Sequence, residues 1–266
     1  MIFLFKLFAI TKISIKTGLT YITSLWLTVF TAIMQITVFF FIWKAIYSGN
    51  AMLNNISYSQ IIAYIILSKI LWSQIEFGMN LHISDLIYNG SISIELLRPI
   101  DFQLYLYASR IGDFISFFFI NALPVLFFSF IFFGFPPPVG LLNFILFFIS
   151  IINGITIAFM VEFFIGLLAF YTSNGWGLQT LKAAFIAFLT CALVPPEFLP
   201  QTLKKIVLFL PFKDMVYTPI SIYIGLKNNH TAFKAVIIQL LWILFLTIIS
   251  RLFYRIVVKR VVAQGG

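Results

Sequence analysis

The sequence predicts an all-α integral membrane protein with six transmembrane helices and an N-terminal amphipathic helix at the membrane interface. The chain is 62% hydrophobic and only 9% charged, whereas soluble domains carry about 25% charged residues. Its mean hydropathy is +1.07. Six apolar runs have a length that suits a bilayer, which a helix crosses in about 20 residues. Little of the chain remains for a soluble domain, so we expect a single transmembrane domain over residues 1–266.

The first segment, residues 1–18, combines apolar clusters with Lys6, Lys12 and Lys16. On a helix these lysines form a loose polar edge, which favours a helix lying in the interface with its ammonium groups at the lipid headgroups. A ragged start to the first transmembrane helix is the alternative interpretation.

Six apolar runs predict the transmembrane helices: 19–43, 58–78, 110–134, 139–170, 177–194 and 232–250. The fourth run is longer than the bilayer is thick, so its helix must tilt or project. An even number of spans places both termini on one side. Basic residues near both termini place that side in the cytosol, although the segment between spans five and six also carries lysines.

Between spans two and three lies a polar, amphipathic segment, which we expect to form a cytosolic region over 79–105. Gly90 suits the left-handed conformation that ends a helix, and Ser91 or Ser93 can cap a short helix that follows. Glu95 then falls in the first turn, where the helix dipole favours a carboxylate. The apolar side of this helix packs either against the protein's own spans or into the groove of a partner.

The predicted short helix ends at Arg98, because the residue before a proline is disfavoured in the α-helical region. Pro99 suits the first turn of the next helix, and Asp101 follows closely.

On the opposite side, the prolines of 195–200 break the chain after span five. The apolar stretch 201–210 is too short to cross the bilayer before Pro211-Phe212. It is therefore either re-entrant or interfacial. Broken backbone at membrane depth must face protein or water, so this pattern predicts an extracellular segment over 195–212 at a pathway exit.

Ionisable residues within the predicted spans are unfavourable unless they are paired or hydrated, and Lys69, Glu162 and Lys182 are the ones singled out. Lys69 lies near the middle of span two, with Glu76 seven residues later on the same face. Glu162 and Lys182 each lie about ten residues from a turn near 172–175, which puts them at similar depth on neighbouring helices. We hypothesise an ion pair between them; alternatively, Lys182 reaches the cytosolic face while Glu162 lines a wet cavity or is protonated.

Several function classes are disfavoured. No phosphate-binding Gly-x-x-x-x-Gly-Lys-Ser/Thr motif and no metalloprotease or serine-hydrolase motif occurs. His82 and His230 fall on opposite sides of the predicted topology. The lone Cys191 allows no intrachain disulfide. The net charge of +9 does not indicate nucleic-acid binding, because the basic residues are scattered along helix ends.

The order of three elements resembles the ABC-2 type transporter permeases, the membrane subunits of ATP-driven exporters. These elements are Gly90…Leu96-Leu97-Arg98-Pro99, then Pro196-x-x-x-Pro200, then Leu210-Pro211-Phe212…Tyr217-x-Pro219…Gly225. With the N-terminal segment and six spans, the resemblance covers nearly the whole chain. The family often has a glycine shortly before the proline element, where this chain has Cys191-Ala192-Leu193.

The resemblance implies six helices per subunit, a dimer of identical or different permeases, and ABC ATPase subunits bound at the cytosolic face. By position, 1–18 would be the connecting helix. The residues implied in ATPase coupling are Ile92, Ile94, Glu95, Leu96, Leu97, Arg98 and Pro99. Those implied in an extracellular gate are Pro195, Pro196, Glu197, Phe198, Pro200, Pro211 and Phe212.

The resemblance further implies a multi-pass protein of the cell inner or plasma membrane, surrounded by lipid, with cytosolic termini. With a second permease it would form the pathway for a hydrophobic or amphipathic substrate. ATP and Mg²⁺ would bind the partner ATPase, and this chain would hold no cofactor, metal or catalytic residue. Two other classes stay open: an ion-coupled carrier or channel acting alone, and a membrane enzyme acting on lipids.

Overall fold

A computed structural model describes residues 2–20, 22–75, 78–171 and 175–264. The first half contains α1 (Ile2–Thr20), α2 (Ile22–Ile46), β1 (Met52–Leu53), β2 (Ile56–Ser57), α3 (Tyr58–Ile75), α4 (Met79–Tyr88), α5 (Ile92–Leu96), α6 (Phe102–Phe117) and α7 (Leu123–Phe133). The second half contains α8 (Leu141–Leu167), α9 (Gly175–Leu189), α10 (Gln201–Phe209), α11 (Tyr217–Tyr223) and α12 (Asn229–Gln264). The two strands form a small antiparallel hairpin.

Five stretches, each made of one helix or of two consecutive helices and counted within the described parts of the chain, are long and apolar enough to cross a membrane. They are Trp26–Ile46, Tyr58–Tyr88, Phe102–Phe133, Leu141–Phe170 and Asn229–Lys259. They correspond to predicted spans one, two, three, four and six. The protein is therefore an all-α, multi-pass membrane protein.

The predicted fifth span corresponds to α9, which has 15 residues and is shorter than the roughly 20 that a bilayer requires. The chain turns out of this helix at Cys191, whose φ of 58° lies in the left-handed region. Thr172, Ser173 and Asn174 of the predicted turn lie outside the described residues. The count of six spans stays a prediction.

The helix of span three begins at Phe102, eight residues before the apolar run. Asp101 is its N-cap, and its carboxylate accepts a hydrogen bond from Leu104 N at 3.0 Å. Pro99 thus lies outside the helix rather than in its first turn. Farther along, a π-helical segment at Phe118–Ala122 joins α6 to α7. It ends two residues before Pro124, whose ring and missing N–H disfavour a regular α-helix over the preceding turn.

The core is built around α8, which packs against α4, α11 and α12. One hydrophobic cluster surrounds α3, α8 and α11, and a second joins α4, α6 and α8. Two glycines of α8 allow close approach: a Cβ on Gly166 would lie 2.9 Å from the Ile83 side chain of α4, and one on Gly154 would lie 2.9 Å from the Asp214 carbonyl. The central helix therefore contacts different elements along its length.

The N-terminal helix α1 packs along α6 through small and polar residues. Thr11 Oγ1 donates to the Ala108 carbonyl at 3.0 Å, and Ser14 Oγ donates to Asp113 Oδ1 at 2.6 Å. A Cβ on Gly112 would lie only 2.5 Å from the Thr11 carbonyl. Lys12 and Lys16 are exposed. The interfacial position of α1 stays a prediction, but its attachment to α6 is a structural fact.

We predict that Gly112→Ala displaces α1 from α6, because the added methyl group would overlap backbone rather than a flexible side chain. Ser14 Oγ and Ser109 Oγ are 3.0 Å apart, so cysteines at both positions should form a disulfide. Gly112→Ala should reduce the yield of that disulfide severalfold. The control is Gly140→Ala, where a Cβ meets nothing within 4 Å. Equal yields in both variants would contradict the close α1–α6 contact.

Candidate functional site

The second membrane-spanning stretch is interrupted between α3 and α4. α3 ends at Ile75, and Gly78, with a φ of 78°, precedes the first residue of α4. Glu76 lies outside the described residues. A helix end leaves backbone N–H or C=O groups without intrahelical partners, and lipid offers them none. The interruption therefore requires partners from neighbouring helices.

Glu162 of α8 supplies a partner for the start of α4. Its Oε2 accepts a hydrogen bond from Met79 N at 3.2 Å, and the residue is almost fully buried. A carboxylate at this position also interacts favourably with the positive end of the α4 dipole. Glu162 thus joins α8 to the first turn of α4.

Lys182 of α9 completes the cluster. Its Nζ lies 3.1 Å from Glu162 Oε1 and 2.6 Å from Asn80 Oδ1 on α4. The exposed fractions of the Lys182 and Glu162 side chains are 4% and 1%, so neither reaches a surface. The structure thus brings together the two side chains that the depth argument paired, and it adds Asn80 and the α4 backbone, which the sequence did not indicate.

A buried cation lies at the end of α3. Arg110 of α6 is 1% exposed, and its guanidinium donates to the Gln74 carbonyl in the last turn of α3. A positive charge there matches the negative end of the helix dipole. Sequence reasoning missed Arg110, although an arginine within a long apolar helix deserves the same suspicion as Lys69.

The buried cluster at the interruption therefore consists of Arg110, Glu162, Lys182 and Asn80, which we call the charge cluster. Arg110 and Glu162 each have the sign that the dipole of the adjacent helix end favours, and Lys182 pairs with Glu162. Lys69, the third predicted intramembrane charge, lies elsewhere on α3. It is half-buried and lines a small cleft of about 100 Å³ with Gln35 and Trp72.

Two turns beyond the charge cluster, α4 leads into the predicted coupling segment. Gly90 has a φ of 71°, which agrees with a left-handed helix end. Ser91 occupies the N-cap position of α5, but its side chain makes no cap hydrogen bond. Ser93 Oγ instead donates back to the Gly90 carbonyl at 2.8 Å, so Ser91 takes the predicted N-cap position without the capping hydrogen bond.

The apolar residues of this segment divide between two environments. Ile92 is buried against α4 and α6, and Leu96 is half-buried, whereas Ile94 and Leu97 are 67% and 83% exposed. The apolar side of this segment therefore packs in part against the protein's own helices, through Ile92 and Leu96, and in part faces outward. Ile94 and Leu97 form an exposed apolar pair.

Arg98 anchors the end of this segment to the membrane domain. Its guanidinium lies 2.6 Å from Glu95 Oε1 and 4.6 Å from the centre of the Tyr105 ring. Pro99 is exposed. Nearby, Asp101 forms an ion pair with Arg251 of α12. The coupling segment is thus held to α6, and the start of α6 to α12.

The predicted exit region folds into short elements rather than a span. Pro196–Phe198 and Pro211–Met215 are 3₁₀ turns on either side of α10, which has nine residues. Pro195, Pro196 and Pro211 are buried, Phe212 and Phe198 are half-buried, and Pro200 is exposed. All residues of α11 are buried. A short, fully buried helix fits the rule that broken backbone at membrane depth must face protein.

Glu197 joins the predicted exit segment, residues 195–212, to α11. Its Oε1 accepts a hydrogen bond from the Tyr217 hydroxyl at 2.5 Å. Burial, followed by the nearby Glu197 carboxylate, raises the pKa of Tyr217, so the hydroxyl keeps its proton and remains a donor. Phe198 packs edge-on against Trp43 of α2, with 4.9 Å between ring centres.

Asp214 is a further buried carboxylate that the sequence did not single out. Its Oδ1 accepts from Thr218 Oγ1 at 2.6 Å and pairs with Lys213 Nζ at 2.8 Å. Its carbonyl accepts from Gln239 of α12 at 2.8 Å, directly beside Gly154. The exit region is therefore fixed to both α8 and α12.

Comparison with protein-family models matches residues 32–265 to the family described as ABC-2 family transporter protein. The chain belongs to this family. The match includes the interruption in the second stretch, the coupling segment and the exit region. No curated protein matches the chain. The protein is therefore an ABC-2 transporter membrane protein with several apolar helices, and proteins of this family are membrane transport components that generally lack an ATPase site of their own.

Within the described parts of the chain, no three His, Cys, Asp or Glu side chains are grouped so as to hold a metal ion. The ionisable groups at the interruption instead contact each other and helix ends. Glu162 and Lys182 thus form a structural clamp that holds the first turn of α4 to α8 and α9.

We predict that Lys182→Met destabilises the protein, because it leaves Glu162 buried without its cation. Breaking a buried pair in this way typically costs about 3–5 kcal/mol. The double variant Glu162→Gln with Lys182→Met should recover most of the loss, because glutamine still accepts a hydrogen bond from Met79 N. Thermal unfolding in detergent, followed by size-exclusion chromatography, measures both. A double variant no more stable than Lys182→Met would contradict the clamp.

Proposed function

We propose that this chain is the membrane permease subunit of an ABC exporter, driven by separate ATPase subunits that bind at α5. The observation that carries this proposal is the exposed apolar pair, Ile94 on α5 and Leu97 directly after it, in a segment that α4 joins to the charge cluster. Exposed apolar side chains on a short amphipathic helix suit a groove on a partner protein. This chain would supply no catalytic residue, and ATP with Mg²⁺ would bind the partner.

The contacts of α4 support transmission of a push from α5 into the membrane. α4 is a ten-residue helix, and its first turn is held by Glu162 of α8 and Lys182 of α9. A displacement of α5 would therefore move α4 together with the α8–α9 pair. Arg110 holds the end of α3 separately, so the interruption lies between two parts that are clamped to different helices.

The central helix α8 connects this clamp to the exit region. Gly166 of α8 contacts Ile83 of α4, whereas Gly154 contacts the backbone at Asp214 and Met215. Twelve residues of helix separate these contacts by about 18 Å. A tilt or shift of α8 would thus act on both regions, which favours a transition between closed and open pathways.

We further propose that the coupling segment and both termini face the cytosol and that residues 195–212 lie at the extracellular exit. The basic residues near the termini support this orientation. A second permease, identical or different, would complete the pathway for a hydrophobic or amphipathic substrate. The exposed apolar faces of α2 and α12 are available to that subunit and to lipid.

We predict that Ile94→Asp with Leu97→Asp abolishes ATPase binding while the permease stays folded, because both side chains are exposed and a charge would oppose an apolar groove. The measurement is affinity purification from membranes of the native host in mild detergent, with mass spectrometry of bound proteins. The wild-type chain should carry a stoichiometric soluble ATPase, and the double variant should retain less than about a tenth of it.

The matched control is Leu141→Asp, which places the same charge on an exposed leucine at the start of α8. This variant should retain the ATPase. Undiminished ATPase in the Ile94 and Leu97 variant would contradict docking at α5. Absence of any ATPase from the wild-type preparation, with ion-driven flux in liposomes, would contradict the exporter and favour a carrier acting alone.

A further inference from the structure

The small cleft beside Lys69 lies in the middle of the membrane-spanning part of the protein. Gln35 of α2 and Lys69 of α3 both line it. Each lies about 16 Å of helix from the end that meets the β-hairpin, which is Ile46 for α2 and Tyr58 for α3. Because the hydrocarbon of a bilayer is about 30 Å thick, both side chains start near its midplane.

Gln35 lacks a partner for its side chain at this depth. It is exposed, although it belongs to a stretch apolar enough to cross a membrane. Its amide bonds to no residue in the described parts of the chain. Thr31, one turn earlier and also exposed, instead donates its hydroxyl to the Thr28 carbonyl at 3.0 Å. An amide in hydrocarbon without a hydrogen bond is unfavourable, so Gln35 calls for a polar group from outside the chain.

One wall of the cleft is held in place by hydrogen bonds. Ser68 Oγ donates to the Ala192 carbonyl at 2.7 Å, and the Tyr64 hydroxyl donates to the Cys191 carbonyl at 2.5 Å. These bonds fix the turn after α9 against α3. Ala192 and Leu193 therefore line the cleft in a defined position, and Leu193 is 55% exposed at its edge.

The charge of the cleft favours an anion. Lys69 lines it and is half-buried, and no acidic side chain among the described residues lines it. A lysine ammonium has three N–H donors and forms strong hydrogen bonds with phosphate and carboxylate oxygens. The volume of about 100 Å³ holds only a few groups the size of a water molecule. The cleft thus fits a single acidic group rather than a whole lipid.

We propose that Gln35 and Lys69 bind the acidic group, a phosphate or a carboxylate, of an amphiphilic substrate. Its hydrocarbon tail would lie on Met34 and Val38, which flank Gln35 on α2 and are 54% and 57% exposed. The ammonium supplies the charge, and the glutamine amide supplies a further N–H donor. That this molecule is the exported cargo rests on the exporter function proposed above, whereas its binding does not. Lys69, which the charge cluster does not use, thereby selects acidic amphiphiles over neutral ones.

The test is photolabelling of the purified full-length chain, without an ATPase, in phosphatidylcholine nanodiscs. The probe is hexadecyl phosphate with a diazirine close to the phosphate and a terminal alkyne, and labelled peptides are mapped by mass spectrometry. Labelling should concentrate on residues 34–39, 65–72 and 191–193. Lys69→Met should lower it about tenfold, the loss expected for one hydrogen bond to a charged group. Lys69→Arg keeps the charge and should retain most of the labelling.

Lys44→Met is the matched control, because it removes the same charge from an exposed position in the last turn of α2, outside the cleft; it should leave labelling unchanged. If Lys69→Met does not fold, competition in the wild-type protein decides. Hexadecyl phosphate or hexadecanoate should displace the probe about tenfold better than hexadecanol at equal concentration in the membrane. The stronger of the two acids identifies the acidic group.

Equal competition by hexadecanol would overturn the proposal, and so would undiminished labelling of a folded Lys69→Met protein. Labelling spread evenly over the exposed faces of α2 and α12 would also overturn it, because that pattern indicates ordinary surrounding lipid only. Since no ATPase is present, a negative result here leaves docking at α5 intact, and loss of docking at α5 leaves this site intact.

Discussion

The rest of the structure depends on the need to satisfy backbone groups where a membrane helix is interrupted. α3 ends and α4 begins within one spanning stretch, and lipid cannot bind the exposed carbonyl and amide groups. Arg110 contacts the carbonyl end, and Glu162 contacts the amide end. Each charge has the sign that the corresponding helix dipole favours. Both side chains are in turn fixed by their own helices, so this one requirement links α3 and α4 to α6, α8 and α9.

This arrangement also explains why burying charges is tolerable here. An isolated charge in a low-dielectric interior is very unfavourable, but Glu162 contacts both Lys182 and Met79 N. The pairs give directional bonds between helices whose other contacts are apolar and non-directional. These bonds hold α4 to α8 and α9, whereas the last turn of α3 is held by Arg110 of α6.

The apolar runs were sufficient to predict the helical membrane fold and five of the spans to within a few residues at one end or both. They could not predict the short α9, because its end depends on a left-handed Cys191 that local sequence does not require. Counting residues from the turn near 172–175 predicted that Glu162 and Lys182 lie close together, because both are about ten residues from it. Arg110 could not be placed in this way, because its partner is a backbone carbonyl of another helix. Asn80 could not be placed either, because it accepts a hydrogen bond from Lys182 of α9, a helix that no short turn joins to α4. The contacts of Asp214 likewise depend on the packing of distant segments.

The central claim is that α4 and α5 move with the α8–α9 pair as one unit when ATP binds. Double electron–electron resonance measures the distance between two spin labels and tests this directly. The labels are placed at Ser93 of α5 and at Tyr171 after α8, in the complex purified with its ATPase. The account predicts that this distance stays within about 2 Å between the nucleotide-free and ATP-trapped states, while the distance from Ser93 to Asn54 at the β-hairpin changes. A Ser93–Tyr171 distance that changes as much as the Ser93–Asn54 distance would contradict it.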